Sequence, residues 1–232
     1  MTNRASADDT DNISAPAAWI AIVLTAATIL LLASLHVLSP EFDPSWRVIS
    51  EYALGHFGWV LSLMFLLWGV SSWALATAIW GEPRTRAGRT GLAFLLLAGL
   101  GEAMASVFDV THEIGHGVAG LFGVLGLPAA ALLITVSLGH TEAWAPAKKP
   151  LLRLAHLTWV SVVLLIVTLV LMTVQMAHAN GGTLPRHAPK ALPRGVIGLD
   201  GWADRLIVVS NCMWVTAVAW QAIKLHRKRV PA

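Results

Sequence analysis

The chain has 232 residues, is 56% hydrophobic and carries only 12% charged residues, about half the charged share of soluble domains. So apolar a chain leaves no length for a separate soluble module and points to lipid as its solvent. A net charge of +3 does not indicate nucleic acid, because the Lys and Arg residues lie mainly in short connections between apolar stretches, which is a topology signal.

Residues 1–16 are polar, with Asp8, Asp9 and Asp11 outweighing Arg4. This is a poor signal-peptide beginning, so the segment reads as a disordered cytoplasmic N-terminus ahead of a retained helix. Apolar runs of membrane-spanning length then fall at about 17–38, 57–79, 90–109, 112–138, 154–176 and 205–225. The expected fold is all-α: a polytopic bundle of six transmembrane helices over residues 17–225, with 226–232 as a basic cytoplasmic tail. No internal repeat is visible. The single Cys212 excludes an internal disulfide.

Of the sixteen Lys and Arg residues, eleven fall on one side of these spans. They are Arg4, Arg84, Arg86, Arg89, Lys148, Lys149, Arg153, Lys224, Arg227, Lys228 and Arg229. Arg47, Arg186, Lys190, Arg194 and Arg205 fall on the other. The positive-inside rule puts the eleven, and both termini, in the cytoplasm of a cell-membrane protein. Trp19, Trp80 and Trp220 fall near inner boundaries, and Trp46, Trp59 and Trp202 near outer ones. Gly117, Gly120, Gly123 and Gly126, followed by Pro128, predict a tight packing face and a kink in the fourth helix.

The outer connections collect most of the polar chemistry: Ser50, Glu51, His56, Asp109, His112, Glu113, His116, His178, His187, Asp204 and Arg205. Glu102 lies within the third span, seven residues and roughly 10 Å below Asp109 on nearly the same face. An ionisable side chain there is expected to face the bundle interior. His112-Glu113-Ile114-Gly115-His116 fits the H-E-x-x-H pattern, in which two imidazoles on one helix face hold a zinc ion and the Glu polarises its water. The motif sits at a chain reversal. It is helical only as the first turn of the fourth helix, with Thr111 as N-cap. Asp109 is the nearest third ligand; Glu51, His56, Asp204 and His178 are alternatives. A polar network without metal and a proton- or substrate-handling site remain open beside the zinc reading.

Asp204 and Arg205 read as an ion pair opening the last helix, with Arg205 also suited to an anionic headgroup. Gln175 and Asn211 read as interhelical hydrogen bonds, and His36 as an interfacial cap. No G-x-S-x-G, P-loop, G-x-G-x-x-G or C-x-x-C sequence occurs, which removes the common serine hydrolase, nucleotide and thiol-redox readings.

Three segments together resemble a known family: Ile49-Ser50-Glu51-Tyr52, Phe108-Asp109 through Gly115-His116, and Gly198 through Asp204-Arg205 with Trp214 beyond. The chain is similar over about residues 17–225 to the prokaryotic six-helix membrane family catalogued as domain of unknown function 998. The resemblance implies Ser50, Glu51, Asp109, His116 and Arg205 as the polar positions, and leaves His112 and Glu113 outside the pattern. The fold it implies is similar to membrane proteins of lipid-anchor remodelling, which favours a lipid ligand.

Three functions are therefore expected. One is a hydrolase or transferase acting on a lipid or amphiphile. There His112, His116 and Asp109 would hold zinc, Glu113 would act as base and Arg205 would hold the headgroup. The second is a small proton-coupled transporter, with Glu102 and Asp109 as relay and the Gly-Pro face of the fourth helix as moving element. The third is an accessory membrane protein without catalysis.

Overall fold

The computed structural model describes residues 13–183, 189 and 191–229. Among them there is no strand. Long helices run over Ala15–Leu38 (α1), Gly58–Ala78 (α2), Arg86–Ala105 (α3), Glu113–Leu138 (α4), Lys148–Ala179 (α5) and Asp200–Arg229 (α6). A short 3-10 turn, Ile49–Leu54, lies between α1 and α2.

Five of these helices, all but α3, are long and apolar enough to cross a membrane. Arg86, Arg89 and Glu102 lower the apolar character of α3. Residues 13–16, expected to belong to a disordered segment, are ordered. Ile13 is buried, the Ser14 N–H donates to the Ala78 carbonyl (3.0 Å), and α1 starts at Ala15. Pro16 fits there because a first-turn residue needs no intrahelical N–H. Residues 1–12 lie outside the described residues, as do Arg186, His187, Lys190 and 230–232. The predicted basic tail is helical as far as Arg229.

α6 runs through the middle of the bundle. It holds its neighbours with buried polar pairs: Thr216 with Thr25 of α1 (3.0 Å), Ser210 with Ser161 of α5 (3.1 Å), and Trp214 Nε1 donating to Thr135 of α4 (3.0 Å). Interhelical hydrogen bonds of this kind hold helices where lipid removes the hydrophobic drive. Gln175 instead reaches a loop, accepting the Ile197 N–H (2.7 Å). The Asn211 side chain has no hydrogen-bond partner among the described residues, so the expected interhelical bond is not formed.

Close helix approach is concentrated on α3. A Cβ on Gly88 would meet Ser137 and one on Gly91 would meet Ile134, while one on Gly101 would stand 2.5 Å from the Gly123 nitrogen. The register is antiparallel along α4. Of the four α4 glycines expected to form the packing face, Gly123 and Gly126 meet α3, whereas Gly117 and Gly120 face open space. The irregularity in α4 is a π turn at Leu121–Leu125. It lies just before Pro128, whose missing N–H leaves the ladder to rearrange upstream.

At one end of the bundle, Trp19 of α1 packs on Trp220 of α6. There Glu82 accepts from Trp144 Nε1 (2.7 Å) and Arg229 (2.9 Å), tying the α2–α3 and α4–α5 connections to the end of α6. The opposite end carries the 3-10 turn, the 106–112 reversal and the start of α6. Trp46, expected at a membrane boundary, is buried there.

Candidate functional site

Between the 3-10 turn, α2, α3, α4 and α6 lies a cavity of about 100 Å³. Its polar lining is Ser50, Glu102, His116 and Asp204; Phe65 and Trp68, stacked on each other, supply the aromatic wall. Four of the residues singled out from sequence thus meet in one place.

Glu102 forms part of the cavity wall, where it is 2% exposed. Its Oε2 accepts from the Ser72 hydroxyl of α2 (2.8 Å), and its Oε1 has no partner among the described residues. Gly123 makes room for it: the nearest atom to an added Cβ there would be Glu102 Cγ at 3.5 Å. The π turn of α4 therefore lies directly against the buried carboxyl.

His116 stands in the first turns of α4. Its Nδ1 lies 2.9 Å from the Phe108 carbonyl and so donates to it. The neutral ring is then fixed with its Nε2 lone pair available, the arrangement a proton acceptor needs. Asp204 shares the cavity and interacts electrostatically with His116. Its Oδ2 accepts the Ile49 N–H (2.7 Å), which fixes the start of the 3-10 turn and so holds the neighbouring Ser50 on the cavity wall.

Arg205 is not paired with Asp204 as expected. It is 5% exposed and spends its N–H groups on His36 Nε2 (2.7 Å), the Tyr52 hydroxyl (2.8 Å) and the carbonyls of Arg47 and Gly201 (2.9 Å each). One helical turn thus grips the 3-10 segment from two sides, Asp204 at Ile49 and Arg205 at Tyr52. Glu51 pairs outward with Arg47 (3.1 Å). Burial holds the Glu51 carboxyl above its ordinary range, and the Arg47 guanidinium opposes the shift. His56 is exposed, stacked edge-on against Phe57, and does not line the cavity.

The 109–113 segment forms a rim. Asp109 Oδ1 accepts from the Thr111 hydroxyl (2.6 Å), the Thr111 N–H (2.9 Å) and His112 Nδ1 (3.1 Å). The Thr111 bonds, first from its hydroxyl and then from its N–H, hold the Asp109 carboxyl below its ordinary value. With Thr111 bound into this turn, the N-cap position of α4 falls on His112 rather than Thr111. Glu113 is exposed and borders only a surface hollow with His112. His112 and Asp109 side chains are 60% and 39% exposed, and neither lines the cavity that His116 enters. Among the described residues no three His, Cys, Asp or Glu side chains gather closely enough to hold a metal ion. The donor set therefore does not fit zinc, and no step is derived through it.

A family model described as a protein of unknown function (DUF998) matches residues 19–221. The chain belongs to the DUF998 family. No curated protein and no solved structure matches it. The matched span of this DUF998 chain includes every residue of the cavity. Of the positions the resemblance implied, Ser50 and His116 are on its wall, Glu51 and Arg205 hold the segment behind it, and Asp109 shapes its rim.

Tyr52, His36, Ser72 and Trp68 also build the site, and sequence reasoning gave them no role there. Tyr52 carried a signal, being the only tyrosine of the chain and adjacent to Ser50-Glu51. Ser72 carried none, since a serine in an apolar helix usually bonds its own backbone.

Proposed function

We propose that this DUF998 protein crosses the membrane six times and is a small proton-coupled transporter whose proton site is Glu102. The observation that carries this reading is the Glu102 carboxyl, buried at the wall of a cavity it shares with Ser50, His116 and Asp204, with one oxygen unpartnered among the described residues. An uncompensated charge in such a place costs several kcal/mol, on the order of the penalty for any buried ion. The carboxyl therefore needs a counter-charge, a proton or a cation, and its exchange is the elementary step of coupled transport. His116 Nε2 and Asp204 pass the proton between Glu102 and the open end, through water that the cavity has room to hold. They replace Asp109 as the relay partner of Glu102, because Asp109 is turned to the rim. The moving element is the first half of α4, Glu113–Gly120, pivoting at the π turn.

Two arguments support α3 as the sixth span. Its twenty residues extend about 30 Å, the thickness of the hydrocarbon. An even number of crossings also returns the start of α1 and the end of α6 to one end of the bundle, where Trp19 meets Trp220. The positive-inside count makes that end cytoplasmic and the cavity outward-facing.

The test is difference infrared spectroscopy of the protein in lipid nanodiscs across pH. A protonated-carboxyl band that titrates and is absent from Glu102→Gln is the expected result. A spectrum identical in the two proteins sinks the reading.

A second reading rests on Ser50 and His116 sharing one cavity. It is a metal-free hydrolase or transferase on a lipid or amphiphile, with Ser50 as nucleophile and His116 as base. Ser50→Ala separates the two: it abolishes hydrolysis and leaves the Glu102 band unchanged.

A further inference from the structure

Every ionisable group on the cavity wall is acidic or imidazole: Glu102, Asp204 and His116. Among the described residues no Lys or Arg contributes to the wall. Arg205, adjacent to Asp204 in sequence, has its guanidinium bonded to His36, Tyr52 and two carbonyls. The Arg47 side chain is paired with Glu51. With the Arg205 guanidinium turned to other partners and Glu102 and Asp204 on the wall, the lining does not offer the cationic fork that the expected anionic headgroup needs. Glu102, on the wall, carries an Oε1 with no partner among the described residues, and Phe65 and Trp68, stacked on each other, add aromatic surface to the lining. The volume of about 100 Å³ gives room for a small monovalent cation with water beside it.

From these observations we infer that the cavity binds a small monovalent cation at Glu102 in exchange for its proton. The cation is an alkali ion or a short alkylammonium. The inference rests on the reading of Glu102 as the proton site and names what it is exchanged for. Charge balances within the step: one cation enters as one proton leaves, and the buried carboxyl is neutralised in both states. The groups that face Glu102 are consistent with this. α2 offers only the neutral Ser72 and Trp68, α4 offers His116, and α6 offers Asp204 and the buried thiol Cys212.

The test uses the full chain in neutral-lipid nanodiscs at constant chloride, with N-methylglucamine replaced stepwise by sodium, potassium or methylammonium. Two quantities are read, the protonated-carboxyl infrared band and the thermal midpoint. At least one of the three ions is expected to remove the band and raise the midpoint. Its half-saturating concentration should rise about tenfold for each pH unit lowered while the carboxyl is protonated, as one-for-one competition requires. Which ion acts separates an alkali-ion site from an alkylammonium site. The proposal is overturned if the band titrates with pH yet none of the ions moves either quantity; the proton-site reading survives that outcome. A band that does not titrate removes both. Asp204→Asn, which keeps the acceptor for Ile49, gives an arm independent of Glu102 variants. It should weaken cation affinity several-fold, and unchanged affinity counts against the proposal.

Discussion

Arg205 is held by partners from three parts of the chain, and its role follows from that geometry. Its guanidinium joins His36 on α1, Tyr52 on the 3-10 turn and two backbone carbonyls. Tyr52→Phe removes one acceptor and leaves a buried N–H without a partner, so it should lower stability by about 1–3 kcal/mol, read from unfolding in detergent. Arg205→Lys should not restore the network, because a single ammonium cannot serve a fork of partners. At Asp109 the effect is one of pH. Its folded carboxyl lies below the ordinary 3.8, so the folded state binds the proton less readily than the unfolded chain. The resulting stabilisation is present above the unfolded value and is lost as pH falls through the lower folded value. Thr111→Val removes the leading cause and should bring the Asp109 titration back toward 3.8, measured by carboxyl NMR. Asp109 is partly exposed, so the effect on overall stability should be small.

At the scale of elements, α3 and α4 show two uses of glycine. An Ala at Gly101 would place its Cβ 2.5 Å from the Gly123 nitrogen and 2.6 Å from the Ala119 carbonyl oxygen. Both obstacles are backbone, so the helices must separate, at a cost of about 1–3 kcal/mol. Gly117 has open space around it. There Gly117→Ala should be neutral or stabilise by up to about 1 kcal/mol through helix propensity alone. If the first half of α4 moves in function, that added stiffness should slow turnover even as the thermal midpoint rises, which transport and melting measurements on one variant can separate. The π turn is the element least legible in the sequence. Glycines and Pro128 announced a break, but its position was set by Glu102 and Gly101 of α3 packing against residues 119–123.

At the scale of the whole molecule, the ends of α1 and α6 share one face of the bundle. The arrangement argues for an even number of crossings, and the charge count for a cytoplasmic face. Reporter fusions should therefore be active in the cytoplasm at both termini, and a fusion within 177–183 should report the opposite side. A C-terminal reporter active outside would overturn the orientation. The same face carries Glu82, joined to Trp144 and Arg229. Glu82→Gln should loosen the end of α6 without touching the cavity, so cation and proton binding should persist in a less stable protein.

Composition and the length of the apolar runs by themselves pointed to a helical chain at home in lipid, because a run of about 20 apolar residues satisfies its backbone there within one helix. Sequence also delivered the polar segments and most of the cavity residues, since ionisable groups at and within spans stand out against an apolar background. It could not decide which of them meet. The H-E-x-x-H spacing puts two imidazoles on one helix face only if the helix has already begun, and the Asp109–Thr111 turn delays it so that His112 becomes the cap. Asp204 and Arg205 are neighbours whose side chains leave the helix about 100° apart, so Asp204 reaches the cavity and Ile49 while Arg205 reaches His36 and Tyr52. Only the tertiary structure placed Glu102 on one cavity with His116 and Asp204, because that depends on how closely α3, α4 and α6 approach. Small residues far from the charges themselves set that approach.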